Sequence, residues 1–263
     1  MSARFAYVLD NSHAIAEQRM SALAQLYDET TRVALARTGL EAGWRCLEIG
    51  GGGGSIARWL ADEVGEGGSV LCTDLDTRYL ESSARPNLRV IRHDIVSDPL
   101  PDTGFDLIHL RLVLNFIAER AAVLDRLVAA LKPGGWLVVE DFDSGTLRAD
   151  HAINADETVL TATLAVRALM CAHGSTDAYW GRRLHGEFRR RGLTRVSADG
   201  RASIWDRENG APLQRVNFDQ LGPQLIERRM ITKEQLTADR ARLDEADYSQ
   251  PSPIMWTVAG RRL

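Results

Sequence analysis

Lysine is nearly missing from this sequence: only Lys132 and Lys233 occur, and almost all basic charge is arginine. A Tyr-x-x-x-Lys pair of the oxidoreductase kind is absent. Cysteine is also scarce. Cys46, Cys72 and Cys171 are odd in number and widely spaced, which reads as buried thiols in a reducing compartment and not as a disulfide framework. No Cys/His spacing resembles a zinc site and the six histidines are scattered, so no metal is expected. No apolar run approaches the length of a membrane span. The first residues, MSARFAYVLDNSHA, lack a charged-then-apolar signal pattern, so the expected location is cytoplasmic.

The net charge of -4 gives no general attraction to nucleic acid or to an anionic membrane. The arginine-rich stretch 182–191 does not reverse that. Trp180, Leu184 and Phe188 recur every four positions, so this is an amphipathic helix with its arginines on the solvated face. No aromatic-interleaved basic groove accompanies it. The Asn/Asp-Pro-Pro-Tyr signature of base methylation is absent as well. The expected partner is a small molecule, and the exposed lid helices leave room for a homodimer.

What the chain does have is one regular alternation. Its 263 residues suit a single large core. Residues 12–38 carry Met20, Leu23, Tyr27, Ala34 and Leu35 at roughly helical spacing, with Gly39 as a C-cap. Short apolar runs at 44–49, 69–73, 88–92, 105–110 and 136–140 read as strands, with helices at 55–64 and 119–131 between them. Lys132-Pro133-Gly134-Gly135 reads as a tight turn. Strands that are apolar throughout and alternate with helices indicate a parallel sheet covered on both faces. After Asp143 the pattern becomes helical at 152–172 and 212–246. Strand signals return at 193–198 and 254–259. The fold class is therefore α/β: a doubly wound, mostly parallel, seven-stranded sheet (Rossmann-like). An N-terminal helical lid spans 1–40. The main domain spans 41–263, with helical insertions at about 144–178 and 207–248, where such folds build substrate pockets.

The sharpest local signal is Glu48-Ile49 running into Gly50 through Gly54 and then Ser55. Glycines allow a sharp turn and let a ligand lie directly on the backbone. The free N–H groups of the next helix start then face that ligand. Asp74, 20 residues after Gly54 at the end of the next strand, can accept both hydroxyl hydrogens of a ribose. No Gly-Lys-Ser/Thr follows, which excludes a P-loop. Two patterns remain open on the glycines alone. Gly52, Gly54 and Ala57 fit the dinucleotide spacing, and Glu48 with Gly50, Gly52 and Gly54 fits E-x-G-x-G-x-G.

The surrounding chain adds to this. Leu47 to Gly54, Val70 to Asp76, Arg92-His93-Asp94-Ile95, Phe105 to Leu114 and Leu131 to Leu137 follow in order over roughly a hundred residues. Together they resemble the class I S-adenosylmethionine (SAM)-dependent methyltransferases, nearest to the ubiquinone/menaquinone-type branch. Asn115 stands where such proteins often carry His. The resemblance implies SAM as cofactor. It implies Glu48 near the amino group, Gly50, Gly51 and Gly52 against the methionine and ribose, and Asp74 on the ribose hydroxyls. Leu75 would lie on the adenine, Asp94 would accept from its amino group, and the Ile95 N–H would lie near N1. Leu110 and Arg111 would border the sulfonium and carboxylate end. Tyr7 and Arg19 would contribute from the lid.

Methyl transfer needs mainly alignment of donor and acceptor. A base is needed only if the nucleophile must lose a proton. His13, His109 and Asp141 are the catalytic candidates, with Arg111, Glu140 and Asp143 expected at the same mouth. The expected activity is methyl transfer to O, N or C of a small metabolite such as a natural product. The alternative is a cyclase or pericyclase of the same fold that binds SAM without spending the methyl.

Overall fold

Five apolar runs form the parallel half of one sheet in the computed structural model, which describes residues 15–80, 85–147, 159–172 and 176–263. In chain order, α1 (Ala16–Ala36) precedes β1 (Arg45–Ile49), α2 (Ser55–Val64), β2 (Ser69–Asp74), β3 (Leu88–Arg92), β4 (Phe105–Arg111), α3 (Arg120–Ala130) and β5 (Leu131–Asp143). There follow α4 (Thr161–Ala172), α5 (Trp180–Arg190), β6 (Thr194–Arg201), β7 (Ile204–Asp206), α6 (Gly210–Glu227), α7 (Lys233–Arg242), β8 (Ser249–Pro251) and β9 (Ile254–Arg261).

The seven-stranded sheet has the order β3-β2-β1-β4-β5-β9-β6, with β9 antiparallel to both of its neighbours. The chain winds outward from β1 to β3, then returns to the other side of β1 with β4. The carboxyl ends of β1 and β4 therefore flank the topological switch point, where open α/β sheets place their ligands.

Side-chain alternation along each strand divides the core into two layers. Leu47 and Ile49 of β1 and Leu137 and Val139 of β5 pack with Leu124 and Leu127 of α3 and Leu184 and Phe188 of α5. Cys46 and Val138 face the other way and meet Leu35 of α1 and Ile56 and Leu60 of α2. The amphipathic helix expected near 182–191 is α5. Its stripe of Trp180, Leu184 and Phe188 is buried, and Arg189 and Arg190 stay exposed.

Three details depart from the sequence reading. Lys132–Gly135 lies within the bounds of β5, yet the register jumps there from Phe105↔Leu131 to Leu107↔Trp136. The glycine-proline run thus loops out of the ladder, with Gly134 at φ 83°. The helical stretch 212–246 is two helices. Arg229, at φ 55°, closes the first, and a Thr232–Gln235 capping box opens the second. A two-stranded sheet, β7 with β8, was not anticipated.

Leu213 of α6 packs in one cluster with Met255 and Phe142 of the sheet, while other apolar residues of the insertions pack on one another. Leu160, Leu169 and Leu225, with Met170, Ile226 and Met230 at their edge, form a separate core shared by α4, α6 and α7. Three helices that each bury one stripe against the others need no help from the sheet.

Phe188 is fully buried on α5. Phe188→Ala should cost about 3–5 kcal/mol in urea unfolding, whereas Arg189→Ala on the solvated face should stay within about 0.5 kcal/mol.

Candidate cofactor cleft and active site

The glycine run forms the loop between β1 and α2. Gly50, Gly52 and Gly54 take positive φ values of 71°, 54° and 76°, conformations that glycine adopts without strain. Neighbours enforce this residue choice. A Cβ on Gly50 would lie 2.4 Å from Val113 Cγ2, and one on Gly51 would lie 2.2 Å from Cys72 Sγ. Gly52 and Gly53 instead face α1 at ordinary contact distance: a Cβ on each would meet Met20 at 3.8 and 3.6 Å.

Asp74 closes the loop from the neighbouring strand. Its Oδ2 accepts from the Gly52 N–H at 2.9 Å and its Oδ1 from the Asp76 N–H at 3.0 Å. Burial raises its carboxyl above the usual range, and those two N–H groups oppose the rise. Beside it Leu75 is 55% exposed, although it follows a buried strand. At the end of the adjacent β3, Val96 is also exposed. Asp94 is half-buried there and accepts from the Val96 N–H at 2.9 Å. Ile95 is buried and its carbonyl is held by Arg126. Glycine backbone, a carboxylate and exposed apolar side chains thus sit side by side along the ends of β1, β2 and β3. That donor set fits a nucleoside with a flat apolar base.

A second group lies on the sheet face beneath α1. His109 Nδ1 donates to Glu48 Oε2 at 2.6 Å, and its Nε2 faces Glu140 Oε2 at 3.4 Å. Glu48 and His109 are register partners on β1 and β4. Thr257 on β9 donates to Glu140 Oε1 at 2.6 Å. From α1, Thr31 donates to Glu140 Oε2. Arg111 then spans to α1, donating to Thr31 Oγ1 and to Asp28 Oδ1, each at 2.8 Å. Burial works against charge on His109, but the carboxylates of Glu48 and Glu140 outweigh it and lift its pKa to about 9. Burial likewise pushes Glu140 up, and the bonded, charged His109 more than reverses this.

The expected residues therefore do not form one cluster. Gly50, Gly51, Gly52, Asp74 and Leu75 line the loop and its flank. Glu48, His109, Glu140 and Arg111 meet under α1. Leu110 is fully buried in the main core. Arg19 is buried on α1 and bonded to Gln220 of α6. Tyr7 and His13 lie outside the described residues.

The expectation that Asp141 and Asp143 share a mouth with His109 is corrected. Alternation along β5 turns Asp141 to the opposite face, where it is fully buried and its Oδ2 accepts from the Asn115 N–H at 3.2 Å. Burial there lifts its carboxyl well above the usual range, only partly offset by that N–H. Asp143 caps the turn at 144–146 through the Gly145 N–H and pairs with Arg182. Asp28, Thr31 and Thr257 were not anticipated. One signal for Thr31 was present: it takes a core position in the buried stripe Tyr27–Thr31–Leu35 of α1.

Two outcomes follow. Gly51→Ala should lower stability by about 1–3 kcal/mol through overpacking, and adding Cys72→Ala should recover most of the loss, as read by urea unfolding. His109 has its pKa raised on folding, so the stability it lends is complete below pH 6.5 and disappears as pH climbs through about 9. Thermal midpoints should fall across that window, and His109→Gln should flatten the fall.

Residues 47–139 match the family model described as "Methyltransferase domain". A curated relative, the ubiquinone/menaquinone biosynthesis C-methyltransferase UbiE of Azotobacter vinelandii, is 31% identical over 119 residues, covering 42% of this chain and 47% of its own length. The chain thus spans about half the length of that relative. Among solved structures, a phosphoethanolamine N-methyltransferase of Haemonchus contortus superposes with a TM-score of 0.63 at 15% identity, over 99% of this chain and 60% of its own. The cyclase SpnF superposes at 0.53 and 16%, over 89% and 80%. Those two likenesses concern the fold alone. Residues 47–139 thus match a methyltransferase-domain family, and the chain resembles the class I SAM-dependent methyltransferases of the UbiE type.

Proposed function

We propose that this protein is a SAM-dependent methyltransferase acting on O, N or C of a small organic metabolite. The observation that carries the reading is the pairing of the positive-φ glycine loop with Asp74, whose carboxylate is held by the Gly52 N–H beside exposed Leu75. SAM, when bound, supplies a methyl group already activated on a sulfonium. The chain's own residues bind and orient. Asp74 holds the ribose hydroxyls, Leu75 covers the adenine, and Asp94 and the Ile95 N–H read its edge. Gly50, Gly51 and Gly52 give the backbone approach, and Glu48 attracts the cationic amino end. Arg111, at the carboxyl end of β4, lies on the side of the amino end.

His109 is a poor general base in this arrangement. It is fully buried and its two nitrogens face two carboxylates. Asp141 is buried on the other face of the sheet. An acceptor that needs little help in losing a proton, or one deprotonated by a residue near the mouth, suits such a site.

The same burial favours one second reading, a cyclase that holds SAM without spending its methyl. Here the fixed positive charge or the shape of the ligand would do the work. Release of S-adenosylhomocysteine (SAH) in the presence of an acceptor separates the two.

Calorimetry of the protein with SAH, beside Asp74→Ala, tests the cofactor. Micromolar binding by the parent, weakened at least tenfold in the variant, is expected, since two hydroxyl bonds to one carboxylate are lost. A folded, ligand-free parent that binds no SAH would sink the reading.

A further inference from the structure

Helix α1 touches both parts of the cleft. Its Met20 stands against Gly52 and Gly53, and its Asp28 and Thr31 bond to the polar row on the sheet. That row begins at Glu48, the second residue before the glycine run, and passes through His109 and Glu140 to the Thr31 hydroxyl. His109, Glu140 and Thr31 are 0%, 1% and 0% exposed. Arg111 joins the row to α1 a second time. α1 is also tied to α6 by Arg19 and Gln220, and Tyr27 packs with Leu213 of α6 and Trp205 of β7.

A buried polar row of this kind tolerates few intermediate states. Each group is either bonded in place or must be rehydrated, because a half-satisfied network in a dry interface is costly. The geometry of Glu48 therefore depends on whether Thr31 is seated, through two intervening side chains. By linkage the dependence runs both ways.

We propose that the row Glu48–His109–Glu140–Thr31 couples ligand binding at the glycine loop to the seating of α1, with His109 as the positioning residue that transmits the coupling. The inference rests on the cofactor reading above and adds to it the means by which the cleft is covered. A ligand amino group that bonds Glu48 fixes one end of the row. His109 is then held between its two carboxylates, and Glu140 is set to accept from Thr31. Seating of α1 in turn brings Met20 against the loop. Glu48, Glu140, Arg111 and Asp28 are the charged groups that face the row from β1, β5, β4 and α1.

The test compares SAH affinity with amide exchange of residues 16–36, in the parent and in Thr31→Val, Thr31→Ser and His109→Gln. In the parent, SAH should slow exchange across α1. Thr31→Val keeps the shape of the side chain and removes its hydroxyl. It should weaken SAH binding about five- to tenfold, within the usual range of coupling, and abolish the slowing of α1. Thr31→Ser should restore both, which a purely packing role would not produce. His109→Gln should behave like Thr31→Val if it folds; if it does not, the threonine pair carries the test alone. Parent protein that binds SAH with unchanged α1 exchange, or Thr31→Val that binds as tightly as the parent, overturns the coupling and leaves the cofactor reading standing. Absence of SAH binding in the parent removes both.

Discussion

The imidazolium of His109 between Glu48 and Glu140 is the interaction on which this face of the molecule depends. A neutral ring there would remove the counter-charge that lies between two buried carboxylates. Stripping one partner from such a group costs about 3–5 kcal/mol, because the remaining charge stays buried. The arrangement needs β1, β4 and β5 in one register, and it needs α1 to present Thr31 at one height. An apolar layer tolerates small slips of a helix over a sheet, since dispersion contacts are individually small. A charged row does not. It fixes α1 over the switch point more narrowly than the apolar contact of Leu35 with the sheet would do alone.

The two faces of the sheet thus perform different tasks. On the side of α3 and α5, Leu, Val and Phe side chains fill the layer, and the buried carboxylate of Asp141 holds the backbone after β4 through the Asn115 N–H. That bond fixes the turn in which Leu112 takes φ 56°, and Val113 from the same turn closes against Gly50. On the side of α1 and α2, the polar row leads directly into the glycine loop. The loop is therefore gripped from both faces: through Val113 by the apolar layer, and through Glu48 by the charged one.

How much of this could be read from the chain follows from the range of each interaction. The β1–α2–β2 unit was readable residue by residue, because apolar runs, glycines and Asp74 lie within 30 positions of one another and each acts locally. The stripe of α5 was readable for the same reason. The β7–β8 pair was not: each strand has three residues, and they meet across more than 40 positions. The partners of His109 were hidden as well. Glu48 and Glu140 sit in strands whose register is set by the whole sheet, and Thr31 reaches Glu140 across 109 positions. Histidine in an apolar strand signals a buried polar site, but its neighbours decide whether it is a base or a counter-ion. Here they make it a counter-ion. Asp141 was misplaced for a simpler reason: adjacent residues of a strand point to opposite faces, so Glu140 and Asp141 cannot serve one mouth.

These placements bear on what chemistry the cleft can favour. If the cofactor brings a reactive methyl, the protein's contribution is alignment and exclusion of water, and misplacement by about 1 Å can cost 10²-fold in rate. Alignment requires that the cover of the cleft be fixed relative to its floor. On the coupling proposed above, the floor would be the glycine loop and the cover α1, with the polar row binding one to the other through groups that bond fully or not at all. The row also withdraws His109 from proton transfer, since a ring held charged by two carboxylates has no free lone pair to offer. A cleft that spends its histidine on holding its cover in place is suited to an acceptor already nucleophilic when it arrives. On that argument the acceptor's own ionisation, and not a residue of the row, would set the pH dependence of the proposed reaction.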